Sequence, residues 1–132
     1  MLDERRKIID KKCGSDMHNY KQLEVWKKGI DLASVIYTVT KKFPKEEKFG
    51  IISQMRRCVV SISSNIAEGA GRNSDNEFRH FLNISFGSCS ELETQLIISH
   101  RLQYLAKEEF EKISSYLAEI QKMIYTLIQK FS

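Results

Sequence analysis

The sequence predicts an all-α protein whose four helices form an antiparallel bundle in up-down-up-down order. Two observations predict this class. The 132 residues contain only one proline and six glycines, so few residues interrupt regular structure. Apolar residues also recur at steps of three and four in four separate segments, which is the spacing of one helix face. No segment shows the alternating pattern of a β-strand that would compete with this interpretation.

The composition is that of one globular domain. With 42% hydrophobic and 29% charged residues, a chain of 132 residues can bury a core without disulfides or structural metal. The cysteines Cys13, Cys58 and Cys89 are widely spaced, and no CxxC or Cys/His cluster predicts zinc. The segment 1–13 is charged, and no run approaches the ~20 apolar residues of a membrane span. We therefore expect a cytoplasmic protein without a secretory signal.

Two regions differ in character. Residues 1–16 are rich in charge and predict a flexible N-terminal extension, whereas residues 17–132 carry the helical pattern and predict the bundle domain. Met17 stands at this boundary and is a possible alternative start.

The first helix is predicted from about Tyr20 to Lys42 and carries two apolar series. The first apolar series is Leu23, Trp26, Ile30, Ala33 and Tyr37. The second apolar series is Val25, Gly29, Leu32, Ile36, Val39 and Phe43. A helix at the edge of a monomeric bundle needs only one apolar face. The other face predicts either deeper burial or contact with a neighbouring subunit.

The second helix is predicted from about Lys48 to Ala70. The Phe-Pro pair at 43–44 ends the first helix, because a residue before proline avoids the α conformation. The glutamates at 46–47 favour the positive end of the next helix dipole. The apolar stripe of this helix is Ile52, Met55, Val59, Ile62 and Ile66. Small residues crowd its C-terminal half, which favours close approach of another helix, and Gly69 or Gly71 is expected to form a left-handed cap.

The third helix is predicted to run from Ser74, its cap, to about Leu102. Ser74 and Glu77 match a capping box, in which each side chain bonds to the backbone of the other residue. Gly87 lies inside this helix, and we expect a partner helix to pack closely against it. The fourth helix is predicted from about Lys107 to Lys130, and its apolar residues keep the spacing of a bundle over three heptads: Phe110, Ile113, Leu117, Ile120, Ile124, Leu127 and Phe131.

No catalytic, metal or cofactor site is predicted. The histidines His18, His80 and His100 are not paired at helical spacing, so they match no metal-ligand motif. No serine motif of a hydrolase is present, and the glycines at 69–71 lack the residues of a phosphate-binding loop. We therefore expect no enzymatic activity, no cofactor and no small-molecule substrate.

Polar side chains share one face of the second helix. Ser61, Asn65, Glu68 and Arg72 follow one another at steps of four, three and four. This stripe is interpreted as a hydrogen-bonded network between helices or subunits, with a binding surface as the alternative. Glu91 and Glu93 of the third helix are candidate partners for Arg56, Arg57 or Arg72.

Basic residues are concentrated in the first half of the chain. Residues 1–73 contain 15 Lys and Arg against 9 Asp and Glu, a net charge of +6 within a chain whose total is +4. Such an imbalance favours nucleic-acid binding through phosphate contacts, with ordinary solubility as the alternative. The candidate contacts are Lys27, Lys28, Lys41, Lys42, Arg56, Arg57 and Arg72. No RNA-binding motif is present and aromatic residues do not interleave the basic ones, so base-specific recognition is not predicted.

Several motifs together resemble one bacterial family. They are Leu23-Glu24-Val25-Trp26-Lys27-Lys28, Phe43-Pro44, Ser53-Gln54-Met55-Arg56-Arg57, Ser61 to Gly69 (SISSNIAEG), Phe81-Leu82, Gly87-Ser88 and Glu91 to Leu96 (ELETQL). This pattern is similar to that of the four-helix bundle proteins named after the 23S rRNA intervening sequence, also called S23 ribosomal proteins, and it extends from about Met17 to the C-terminus.

The resemblance implies an antiparallel bundle that assembles with copies of itself into a ring, expected to be a homopentamer. The genetic setting of the family, inserted segments of rRNA genes, adds to the expectation that the chain binds RNA. A remoter architectural analogue is the accessory variability protein of diversity-generating retroelements. It supports the alternative function, an adaptor oligomer that binds protein partners such as a reverse transcriptase without recognising nucleic acid directly.

Overall fold

The computed structural model describes residues 19–132, and these residues form an all-α fold with no β-strand among them. The predicted extension 1–16 lies outside the described residues. Short 3-10 turns precede the first helix, at Tyr20–Gln22, and the second, at Lys45–Glu47. The four helices are α1 (Glu24–Thr40), α2 (Ile51–Ala70), α3 (Asp75–Arg101) and α4 (Lys107–Lys130). Each helix packs against the next along the chain, and α4 also packs against α1.

The apolar stripes of the helices meet in one continuous core. The stripe of α2 is buried throughout, as are the core-facing positions of α3 and α4. Burying each of these Leu, Ile or Phe side chains contributes about 1.5–3 kcal/mol relative to leaving it in water. The spacing of three and four therefore predicted the buried stripe of α2 correctly, and that of α4 except at Phe110, which is only half-buried.

The two apolar series of α1 have different environments. The second apolar series, from Val25 to Phe43, is buried against the other helices. In the first apolar series Leu23 is buried, but Ile30 and Tyr37 keep 44% and 41% of their surface exposed. Within one chain, therefore, only the second series is fully covered.

The ends of α1 differ from the prediction. Leu23 has extended backbone angles (φ −78°, ψ 124°), so α1 begins at Glu24 and not at Tyr20. The helix ends at Thr40, two residues earlier than predicted, in a turn that leads to Phe43 and Pro44. The physical reason is local backbone geometry, to which a periodic apolar pattern is insensitive.

The α2 helix also begins later than predicted. Gly50 has non-helical angles (φ −105°, ψ −118°), so the helix starts at Ile51 and not at Lys48. A carboxylate oxygen of Glu47 accepts a hydrogen bond from the backbone N–H of Ile51 at 3.4 Å, which gives a partner to one of the free donors at the helix start. Phe49 consequently lies in the connection between α1 and α2, outside either helix.

The connection between α2 and α3 confirms one predicted cap and corrects another. The Ser74 hydroxyl accepts a hydrogen bond from the Glu77 backbone N–H at 3.1 Å, which is one of the two bonds of the predicted capping box. The Glu77 carboxylate accepts from Arg72 at 3.3 Å. The expected left-handed glycine cap is wrong, because Gly71 has a φ of −84° and Gly69 lies inside the helix. The α2 helix ends instead with the Gly71 N–H bonded to the carbonyls of the last turn.

The small residues of α2 allow close approach of its neighbours. The Ser63 hydroxyl donates to the carbonyl oxygen of Trp26 in α1 at 3.1 Å, beside the buried Gly29. Gly87 in α3 behaves differently, since a Cβ there would meet no described atom within 4 Å. The expected close packing against Gly87 is thus absent within the described part of the chain.

Candidate functional site

The net positive charge of the described residues is concentrated at one corner of the bundle. Residues 41–57, which we call the basic corner, contain 6 basic and 2 acidic residues, a net charge of +4. The other described residues, 19–40 and 58–132, contain 10 basic and 11 acidic residues. The end of α1, the connection and the first turns of α2 bring the basic corner together.

Arg56 is fixed against the end of α1. Its Nε donates to the Thr40 hydroxyl oxygen at 3.0 Å, and its Nη2 donates to the Tyr37 carbonyl oxygen at 3.2 Å. The guanidinium also lies 4.6 Å from the centre of the Tyr37 ring, a cation–π distance. These contacts satisfy a carbonyl group at the end of α1 and join α1 to α2, so Arg56 has a structural role that its sequence pattern did not reveal.

Lys41 and Arg57 are the freest of the predicted cationic contacts. Both are exposed, and no hydrogen bond or ion pair joins either side chain to another residue within 19–132. Lys42 binds Glu109 of α4, and Lys28 lies 3.5 Å from Glu119. Such exposed ion pairs are worth only about 0–1 kcal/mol, so they give way readily to a phosphate ligand.

Three of the predicted cationic contacts, Lys27, Lys28 and Arg72, lie outside residues 41–57 and so outside the basic corner. Lys27 is in the first turn of α1 and pairs with Glu24 at 3.5 Å. Arg72 follows the far end of α2, about 24 Å along the helix direction from Arg56 at 1.5 Å per residue. Its guanidinium binds Glu68 at 2.7 Å and Glu77 at 3.3 Å, and it covers the Phe81 ring. The seven predicted contacts therefore do not form one surface.

The predicted polar network consists of two separate clusters. In the first, the Ser61 and Ser88 hydroxyl oxygens lie 2.8 Å apart, and the Asn65 amide donates to the Ser61 carbonyl oxygen at 2.8 Å. The second is the pair Glu68 and Arg72. Within residues 19–132 no ion pair joins Glu91 or Glu93 to Arg56, Arg57 or Arg72, and Arg56 and Arg72 bind the partners described above. Glu91 accepts from the Gln95 amide and Glu93 from the Gln121 amide.

An exposed aromatic ring in the basic corner was missed in the sequence. Phe49 is 87% exposed, more than any other large apolar side chain of the described residues. The ammonium group of Lys48 lies 5.4 Å from the centre of its ring. The signal was the tripeptide Lys48-Phe49-Gly50, in which the glycine delays the helix start and leaves the phenylalanine in a turn.

The basic corner is joined to the connection between α3 and α4 by one hydrogen bond. The Tyr104 hydroxyl donates to Oε2 of Glu47 at 2.9 Å. This hydrogen bond to a carboxylate raises the pKa of Tyr104 above its ordinary value, because it favours the protonated phenol. Glu47 is thereby held between Tyr104 and the start of α2.

Two buried thiols lie between α2 and α3. Burial raises the pKa of Cys58 and that of Cys89 to about 12, and the neighbouring Glu91 carboxylate adds to the shift at Cys58. The Cys58 thiol donates to the Ser88 carbonyl oxygen at 3.0 Å. Thiols with such pKa values are not nucleophiles at neutral pH, and they act as core residues.

The histidines and acidic side chains of the described residues are dispersed. In residues 19–132, no three His, Cys, Asp or Glu side chains are grouped as metal ligands would be. His100 stacks on Phe110 with ring centres 4.5 Å apart, and His80 is exposed beside Phe81. None of the described helices is apolar over the length needed to cross a membrane.

Two apolar grooves mark the surface of α1. A groove of about 430 Å³ lies between α1 and α4, with Val35, Val39 and Tyr116 among its lining residues. A second groove of about 270 Å³ lies between α1 and α2, and none of its lining residues is charged. The exposed Ile30 of α1 and Val60 of α2 belong to this second groove, which we call the α1–α2 groove.

The fold and the surface define a four-helix protein with one basic corner and no recognisable metal centre among the described residues. The family model of the 23S rRNA-intervening sequence protein matches residues 21–126. The chain belongs to this family, as its motifs predicted.

A solved structure is similar to the chain. It is the crystal structure, at 1.70 Å resolution, of a protein with unknown function from the S23 ribosomal protein family of Bacteroides thetaiotaomicron VPI-5482. The two are 26% identical with a TM-score of 0.73, and the match covers 80% of this chain and 95% of that one. A comparison with curated proteins gives no match.

Proposed function

We propose that this protein is a non-enzymatic, self-assembling bundle that binds nucleic acid, and RNA in particular, through its basic corner. The observation that carries the proposal is the charge distribution: residues 41–57 hold a net charge of +4, and the rest of the described chain is slightly negative. A compact positive surface attracts the phosphate backbone and releases its counterions on binding. The description of the family, an rRNA-intervening sequence protein, agrees with RNA as the ligand.

Lys41 and Arg57 are the proposed principal phosphate contacts, because both are exposed and neither is engaged by an acidic side chain within residues 19–132. Lys42 is a secondary contact, since it must leave a weak ion pair with Glu109. Lys27, Lys28 and Arg72 lie outside the basic corner and contribute only to the positive potential around the protein. Arg56 acts by holding the end of α1 in place, and its contribution to binding is indirect.

Self-assembly is proposed to use the α1–α2 groove, with a second copy of the chain as its occupant. Ile30 and Val60, which line this groove, are each more than 40% exposed, and the groove lining is uncharged. Depletion of charge is typical of the core of a protein interface and unsuited to a polyanion. Repeating one such contact around a closed ring gives the homopentamer that the family resemblance implies.

The antiparallel arrangement within each subunit has support from contacts between neighbouring helices. The Ser85 hydroxyl of α3 donates to the Ile62 carbonyl of α2, whereas Ser99, later in α3, contacts Met55, earlier in α2. Between α1 and α4, the earlier lysine at position 28 pairs with the later glutamate at 119, and the later lysine at 42 with the earlier glutamate at 109. Short connections between consecutive helices are consistent with up-down-up-down topology.

The test is binding of nuclease-treated, full-length protein to labelled single-stranded RNA, duplex RNA and duplex DNA over a series of salt concentrations. The Lys41→Ala/Arg57→Ala variant is expected to bind more weakly, and its log–log salt slope on a single strand is expected to be shallower by about 0.7 for each phosphate it no longer neutralises. The control is Lys21→Ala/Lys122→Ala, which removes the same charge from exposed positions outside the basic corner. Equal weakening in both variants, or no binding by the unmodified protein at low salt, would contradict the proposal.

A further inference from the structure

Phe49 occupies an unusual position for an aromatic residue. It lies between the 3-10 turn Lys45–Glu47 and Gly50, in the connection that precedes α2. Its ring is 87% exposed, whereas the next most exposed large apolar residue, Tyr125, is 55% exposed. Single exposed apolar residues are common on protein surfaces, so exposure alone assigns no role. The surroundings of the ring provide the second observation.

The Phe49 ring stands in the most positive part of the described molecule. Lys48 holds its ammonium group 5.4 Å from the ring centre, and the exposed Lys45 and Lys41 belong to the same connection. An open aromatic face among cationic side chains is the combination that proteins use to bind single-stranded nucleic acid. The cations contact the phosphates, and the ring stacks on a base whatever its identity.

We propose that Phe49 is a base-stacking residue and that the basic corner therefore prefers single-stranded or looped nucleic acid to a closed duplex. In a duplex each base already stacks on its neighbours, and a face becomes available only if the base is unstacked. The proposal rests on the nucleic-acid function proposed above and specifies the ligand class of the same surface. In this proposal Phe49 stacks on a base, and the phosphates are bound by Lys41, Lys45, Lys48 and Arg57.

The positive charge around Phe49 favours single-stranded nucleic acid over a second copy of the chain as the ligand of this surface. Residues 41–57 of each copy carry the same net charge of +4, so two such corners repel one another. The α1–α2 groove is uncharged and is the proposed self-association surface, and Phe49 is not among its lining residues. A polyanion with unstacked bases complements both the charge and the ring.

The experiment compares full-length protein with Phe49→Ala, Phe49→Leu and Phe49→Trp. The probe is a labelled RNA without self-complementarity, used as a single strand and as a duplex with its complement. Phe49→Ala is expected to weaken single-strand binding about tenfold or more, with the salt slope unchanged because the cations still contact the same phosphates. Phe49→Leu is expected to behave like Phe49→Ala, since leucine keeps apolar bulk but has no aromatic face. Duplex affinity is expected to be the same for all four proteins.

Phe49→Trp provides an independent readout. It is expected to retain single-strand binding, and its added indole fluorescence is expected to be quenched by the single strand and not by the duplex. The one native tryptophan, Trp26, gives a constant background because it is partly buried at the other end of α1. Circular dichroism of each variant checks the fold, which a substitution at an exposed position is not expected to disturb.

The outcomes separate this inference from the proposed function. Single-strand binding that is salt-dependent and equal in the unmodified protein and Phe49→Ala would overturn the stacking role alone. Absence of any nucleic-acid binding by the unmodified protein at low salt would overturn both proposals. A changed molar mass of Phe49→Ala in light scattering would identify the ring as a contact between copies and would also overturn the stacking role.

Discussion

Gly69 of α2 lies against Phe81 of α3 so closely that a methyl group on residue 69 would stand 2.7 Å from the Phe81 Cβ. The same methyl group would lie 3.2 Å from the carbonyl oxygen of Phe78. Neither atom is the far end of a flexible side chain, so neither can move aside without a shift of α3. The contact thus fixes the distance between α2 and α3 at their shared connection.

Gly69→Ala is accordingly expected to lower the free energy of unfolding by about 1–2 kcal/mol, because overpacking outweighs the better helix propensity of alanine. Urea denaturation measures the change. The control is Gly87→Ala in α3, where no described atom lies within 4 Å of the new Cβ. That substitution is expected to raise the free energy of unfolding by about 0.5–1 kcal/mol. Changes of opposite sign in the free energy of unfolding of the two variants would support overpacking at Gly69. A Gly69→Ala protein as stable as the unmodified one would contradict it.

These two glycines show how far the sequence could predict the fold. The four helices and their buried stripes were predictable because apolar spacing records which face is covered. Gly69 and Gly87 look alike in that pattern, and only the packing of neighbouring helices distinguishes them. The first residues of α1 and α2 depend on the backbone angles of Leu23 and Gly50, and these angles are not recorded in the apolar spacing of the sequence.

The positive charge of the candidate site could be predicted from the sequence, but the arrangement of its side chains could not. The excess of basic residues in the first half of the chain is a property of composition, and the basic corner lies within it. The different environments of the adjacent Arg56 and Arg57 depend on which side of α2 faces the end of α1. The exposure of Phe49 depends on where α2 begins, which the sequence pattern placed too early.

Arg56 and Arg57 are expected to respond differently to the same substitution. Arg56→Ala removes hydrogen bonds to Thr40 and to the Tyr37 carbonyl, so it is expected to cost about 1–2 kcal/mol of stability. Arg57→Ala is expected to change stability by less than about 0.5 kcal/mol, since its side chain is exposed. Its effect is expected in RNA binding instead. Thermal unfolding and salt-dependent binding of both variants test the assignment, which fails if Arg57→Ala is the less stable protein.

The buried thiols are expected to be unreactive in the folded protein. Because burial raises the pKa of Cys58 and Cys89 to about 12, their thiolate forms are scarce at pH 8. In a Cys13→Ser variant, alkylation followed by mass spectrometry is expected to show no modification of native protein and two modified residues after unfolding. Rapid native alkylation at pH 8 would show that these thiols are not buried in solution.

The same raised pKa values predict how stability changes at alkaline pH. A thiol whose pKa is higher in the folded than in the unfolded chain contributes stability that is complete below about pH 8.5, the ordinary pKa of a thiol. That contribution is lost as the pH rises toward 12, the folded value for Cys58 and Cys89.

Self-assembly through the α1–α2 groove is expected to be disrupted by a charged side chain placed in the groove. Replacing Ile30 or Val60 with glutamate places a charge in the proposed contact between copies, where burying it without a partner is unfavourable. Each variant is expected to have the molar mass of a single 15.4 kDa chain in light scattering, while the unmodified protein has a multiple of it. Both side chains are already partly exposed, so helix content is expected to be retained.

The control for this prediction is Leu102→Glu, which charges an apolar side chain that is 52% exposed beyond the end of α3 and outside the groove. It is expected to leave the molar mass unchanged. Assembly that survives Ile30→Glu and Val60→Glu but not Leu102→Glu would place the contact at the end of the bundle. A single-chain mass for the unmodified protein at micromolar concentration would contradict self-assembly itself, and would favour a different protein as the partner of the exposed Ile30 and Tyr37 of α1.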